Sequence, residues 1–143
     1  MRTAPNFALL IGGTLSVLIA VMHLGCVVIG PSCYRFMGAG EQMAVLAENG
    51  HWYPSVITMF IAGVMTVWAL YAFSGAGLIA RLPILRSGLV LVTSVYLLRG
   101  IAFQPLMAYF PDNSWTFWFW TSAIALIIGL VHLVGLKQVW KQV

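Results

Sequence analysis

Acidic side chains are nearly missing from this chain. Its 143 residues hold three, Glu41, Glu48 and Asp112, and only 7% of the sequence is charged with either sign. A soluble domain carries about 25% charged residues, so a solvated globular surface is excluded. Cysteine is as scarce. Cys26 and Cys33 are the only two, too few for a disulfide framework and not in CxxC spacing. The sequence contains no HExxH, no glycine-rich nucleotide loop and no Ser-His-Asp arrangement, which removes the common hydrolase and nucleotide-binding chemistries. Seven cations give a net charge of +4. They are scattered along the chain and form no basic patch, so a nucleic-acid partner is excluded too. What is abundant is apolar: 62% of residues are hydrophobic and the mean hydropathy is +0.97. This is the composition of a membrane protein.

A span of the roughly 30 Å hydrocarbon core takes about 20 helical residues. Four stretches qualify, at 7–29, 54–76, 84–103 and 115–136. No linker to a soluble domain separates them, and no repeat is visible. The expectation is one all-α membrane domain over 1–143, an antiparallel four-transmembrane-helix bundle.

The cations orient it. With the N-terminus inside, Arg2, Arg81, Arg86, Lys137 and Lys141 all fall on the inner side. The outer side then takes Arg35, the Arg99 end of the third span and all three acids. That is the positive-inside pattern, so N-in/C-in is expected, in the plasma (inner) membrane of a bacterium. Trp52, Tyr53, Tyr109 and the run "WTFWFW" (115–120) sit at the outer boundary, where amphipathic rings anchor. The "HLGC" stretch (23–26) is a poor lipobox, because the position three before the cysteine is His23 and not an aliphatic residue. No signal processing is expected.

Depth groups the polar residues. At 1.5 Å per residue, His23 lies about 24 Å and Arg99 about 22 Å from the inner boundary. Thr58 and Thr121 or Ser122 fall near the same level, giving one polar layer in the outer half. An intramembrane arginine costs at least about 2.5–3.5 kcal/mol on insertion scales and normally faces protein or water. It snorkels, forms an ion pair or anchors a ligand. The stretch "GEQMAVLAENG" (40–50) reads as a short outer helix, interfacial or re-entrant, stopped at Asn49–Gly50. Glu41 and Glu48 share one of its faces, and Met43, Leu46 and Ala47 form the apolar one. Glu48 lies at the unfavourable end of the helix dipole and needs a cation. Arg99, Arg35 and His51 are candidates, with Arg99 preferred.

Metal and cofactor are not expected. His23 and Cys26 lie three residues apart on one helical face, and soft sulfur with imidazole suits Cu(I). However, the paired motifs that complete such a site are missing. A disulfide across "GPSC" is feasible on an oxidising side, and free thiols are the expectation. His132 lies about 6 Å from the inner boundary and cannot share a haem iron with His23, some 18 Å higher. Its place on the Ser122–Ala125–Gly129 face points to a hydrogen bond across a helix contact. Gly12, Ser16 and Ala20, Ala62 and Thr66, and Gly88 and Val92 form small-residue stripes for close helix packing. Small multidrug transporters also have four short spans, but they carry an acid in the first, where this chain has His23.

Three functions remain. The first is an outer-leaflet pocket that binds or processes an amphiphile, a lipid, an isoprenoid or a quinone. Its ligand-binding residues would be Arg99, His23, Glu48, Glu41, Thr58 and His51, with His23 the candidate catalytic residue as a proton relay. The second is a non-catalytic accessory, assembly or immunity-type subunit of a larger membrane complex. The third is a small transporter working as a homo-oligomer. In each case His23 is expected to face the protein interior, hydrogen-bonded in the outer polar layer.

Overall fold

Each apolar run folds as helix, and local signals set the ends. A computed structural model describes residues 4–143, and among them there is no strand. The helices are α1 (Phe7–Ile29), α2 (Pro31–Phe36), α3 (Glu41–Glu48), α4 (Tyr53–Gly75), α5 (Leu85–Ile101), α6 (Gln104–Met107) and α7 (Trp115–Val139). The Asn6 side chain accepts from the Leu9 amide and starts α1, as Ser114 does from Phe117 for α7. Gly30, at φ 84°, ends α1, and Pro31 opens α2 in the next turn. The tight 77–83 connection is stitched by Ser74, whose hydroxyl donates to the Ala80 carbonyl and accepts from the Leu82 amide. Arg2, counted among the inner cations, lies outside the described residues.

Three helices, α1, α4 and α7, are long and apolar enough to cross a membrane, the pattern of a helical membrane protein. The third expected span is shorter than the sequence suggested. It was read to Phe103, but α5 stops at Ile101 after 17 residues and the chain restarts as α6 with Pro105 in its first turn. The last helix runs three residues beyond the expected Leu136. The four longest helices pack in neighbouring pairs: α1 with α4 and α7, and α5 with α7 and α4.

Small residues allow this approach. A side chain on Gly12 would strike the His132 ring, one on Gly13 the Phe73 ring, and one on Gly100 the backbone of Leu126. Gly12, Ser16 and Ala20 are all buried, as the stripe on α1 requires. Apolar burial between membrane helices gains little over lipid, so close backbone contact carries the packing.

A second layer covers the end of α1. Cys26 and Cys33 are disulfide-bonded, which corrects the expectation of free thiols. The Gly30–Pro31 reversal brings their Cα atoms to 5.0 Å and turns α2 back over α1. Cys26, Tyr34 and Ala44 then form a small buried cluster beneath α2 and α3. The short helix read at 40–50 is present as α3, with Ala44 its buried residue.

Candidate functional site

Arg99 stands in the last turn of α5, half-buried, and reaches across to α7. One terminal nitrogen donates to the Ser122 hydroxyl at 2.8 Å and the other to Thr121 at 3.0 Å. Its guanidinium carbon lies 5.2 Å from the centroid of Trp118, a cation–π arrangement. Trp118 is 3% exposed, and its indole N–H has no partner among the described residues. No carboxylate lies within ion-pair reach of Arg99 among those residues. The result is a guanidinium fixed by two hydroxyls and an aromatic face, with further N–H donors uncommitted.

The preferred Glu48–Arg99 pair is therefore corrected. Arg35 takes both carboxylates of α3: its Nη1 lies 2.8 Å from Glu48 and its Nε 2.9 Å from Glu41. The cause is the turn at Gly38–Gly40, which places α2 beside the polar face of α3, whereas Arg99 is turned toward α7. The hydrogen bonds from Arg35 hold the Glu41 carboxyl below the usual range and raise the guanidinium further above its own. Asp112 accepts from the Glu41 amide at 3.2 Å, and Asn113 donates to the Gly38 carbonyl at 2.9 Å, tying this cap to the start of α7.

The remaining expected residues do not converge on Arg99. His23 is half-buried, and its Nδ1–H donates to the Ile19 carbonyl one turn back at 2.8 Å. That bond lies within α1 and leaves Nε2 as an acceptor. Thr58 is buried at the start of α4. His51 is exposed in the turn before α4, where it accepts from the Tyr53 amide and stacks on Trp52. The 880 Å³ groove on this face lies between α3 and residues 109–112, and Glu41, Asp112, Tyr53 and Tyr109 line it. Its carboxylates repel an anionic head.

A second polar cluster lies deeper in the packing and was not read from the sequence. Ser16 donates to the Gly12 carbonyl and accepts the Tyr96 hydroxyl at 2.9 Å. The Tyr96 ring stacks on His132, centroids 5.4 Å apart. His132 is fully buried; its Nδ1–H donates to Ile128 of its own helix, and Nε2 has no partner among the described residues. The hydrogen bond expected across a helix contact is replaced by ring packing on Gly12 and Tyr96. The aromatic pattern pointed to the interface and hid Tyr96; its spacing of three from Arg99 on α5 was the available signal. Among the described residues no three His, Cys, Asp or Glu side chains gather to hold a metal ion, and both cysteines are spent in the disulfide.

No protein family matches this chain, and neither does any curated protein or solved structure.

Proposed function

We propose that the chain is a four-span protein of a bacterial inner membrane, N-in/C-in, that holds the head of an amphiphilic ligand at Arg99 in the outer leaflet. Several features support the architecture. The 17 residues of α5 are the lower limit for a span, and α5 packs between α7 and α4. The four cations of the described inner segments, Arg81, Arg86, Lys137 and Lys141, lie at the end remote from all three acids. The disulfide lies at the opposite end, as an oxidising outer compartment requires.

One observation carries the ligand: Arg99 has hydroxyl and aromatic partners but no counter-ion among the described residues. A guanidinium with uncommitted donors at this depth suits a phosphate, carboxylate or polarised carbonyl. A lipid, an isoprenoid or a quinone offers such a head on an apolar body. His23, near the C-terminal end of α1 with its Nε2 lone pair available, and Thr58, near the N-terminal end of α4, supply secondary contacts. Glu41 and Glu48 serve the cap, not the ligand. The accessory-subunit reading has its own support, because the Arg99 bonds to Ser122 and Thr121 also tie α5 to α7.

The two readings separate in one experiment. Native mass spectrometry of protein purified without added lipid should show an amphiphile retained by the wild type. Arg99→Met should weaken retention about tenfold to a hundredfold, the loss of one charge-assisted contact of roughly 1.5–3 kcal/mol. Arg99→Lys should retain an intermediate amount. Unchanged retention with a lowered unfolding temperature would leave Arg99 as a helix tie and favour the accessory subunit.

A further inference from the structure

The opposite end of the molecule carries a groove of about 580 Å³ where the 81–87 segment meets Val143. Arg81, Arg86, Ser87 and Ile84 line it. Arg81 donates to the Gln142 carbonyl at 2.8 Å. Arg86 donates from Nε and Nη2 to the Trp140 and Val143 carbonyls, and its guanidinium lies over the Trp140 ring at 4.8 Å. Both side chains are thus held in place by the chain after α7. An arginine has five N–H donors. Arg81 commits one of them and Arg86 three, so the pair keeps donors for a further acceptor. No acidic side chain lies beside them, because Glu41, Glu48 and Asp112 are all at the other end, while Lys137 and Lys141 add to the same positive field.

The groove also adjoins an apolar strip. Ile84, the residue before α5, is 74% exposed and Leu91 is 58% exposed, and Leu91 follows Ser87 by four residues on one side of α5. A free anion needs only the arginines. An anionic lipid uses both features, its phosphodiester on the guanidiniums and its chain against the strip. We infer that this groove is a binding site for the phosphodiester head of an anionic membrane lipid, with Arg81 and Arg86 as the head contacts and Ser87 in its lining. The site is independent of Arg99 and lies at the other membrane face.

The test uses the full chain, delipidated in detergent and titrated by native mass spectrometry with phosphatidylglycerol, phosphatidylcholine and inorganic phosphate. One phosphatidylglycerol should bind in preference to phosphatidylcholine. Replacing both arginines by Gln should weaken it roughly thirtyfold, the effect of two cations beside an anionic head. Because Arg86 also holds the last residues, Ser87→Phe is the second variant: it fills the groove and leaves every charge in place, and it should weaken binding at least fivefold. Changing Lys137 and Lys141 to Gln together should have less than a third of the effect of the arginine pair. Equal binding of the two lipids would overturn the proposal, and so would displacement of the lipid by millimolar phosphate. An effect of the lysine pair as large as that of the arginines would reduce the site to diffuse surface charge and overturn it as well.

Discussion

Gly100, the neighbour of Arg99, shows how closely α5 and α7 approach. A Cβ at this position would lie 2.7–2.8 Å from the Cα and amide nitrogen of Leu126, and a helix backbone cannot rotate away as a side chain can. Gly100→Ala should therefore destabilise the protein by about 1–3 kcal/mol, although alanine is the better helix former. Gly25→Ala, inside α1 where nothing lies within 4 Å, should be neutral or stabilise by up to about 1 kcal/mol. Unfolding followed in the same detergent compares the two, and equal values would mean the α5–α7 contact is looser than described. The sequence showed which residue types stood at depth, because rise per residue converts position into level. That is why Arg99 and the pair Thr121 and Ser122 were grouped in advance and are found bonded. It could not show rotation about each helix. Rise per residue assigns His23 the level of Arg99, yet its ring bonds Ile19 of its own helix, since an imidazole can reach back one turn and nothing in the composition forbids it.

The cap of α2 and α3 was half legible. Its amphipathic helix followed from the spacing of Glu41 and Glu48, but the disulfide depends on the reversal at Gly30–Pro31 and the Arg35 fork on the turn at Gly38–Gly40, neither of which periodicity reports. Surface ion pairs contribute little alone, so the fork serves chiefly to orient α3 on a cap that the disulfide already anchors. Its pH response follows from Glu41, whose carboxyl lies below its ordinary value of 4.5 because Arg35 hydrogen-bonds the charged form. A carboxyl depressed by folding stabilises the fold above that ordinary value, and the contribution is lost as the pH falls through the lowered one. Cap opening is expected to be flat from pH 8 to 5 and to increase below about pH 4.5. Reduction of the Cys26–Cys33 bond by a phosphine reports it, since Cys26 is 1% exposed. Glu41→Gln should give the faster reduction already at pH 7. A variant that reduces at the wild-type rate throughout would remove Arg35–Glu41 from the control of the cap.

For the whole molecule, the number of crossings decides where each end lies, and α5 is the helix on which that number turns. Its 17 residues span about 26 Å at 1.5 Å per residue, slightly short of a 30 Å core. On the four-span proposal the Arg86–Trp140 pair would extend it to the inner interface, while Arg99 is held sideways on Ser122 and Thr121. Cysteine labelling reads the parity directly, because Cys26 and Cys33 are bonded to each other and leave no free thiol among the described residues. Val45→Cys, on the exposed face of α3, should react with an impermeant maleimide in intact cells. Gln142→Cys, which spares every cation, should react only after permeabilisation. If both reacted from outside, α5 would not cross, the chain would have three spans, and Arg99 would lose the bilayer environment on which its ligand role rests. If the pattern were reversed, Arg81, Arg86, Lys137 and Lys141 would all face outward and the disulfide would lie in a reducing compartment. The positive-inside rule and the redox argument would then fail together. These are independent constraints: sulfur chemistry requires residue 45 outside, and the charge pattern requires residue 142 inside.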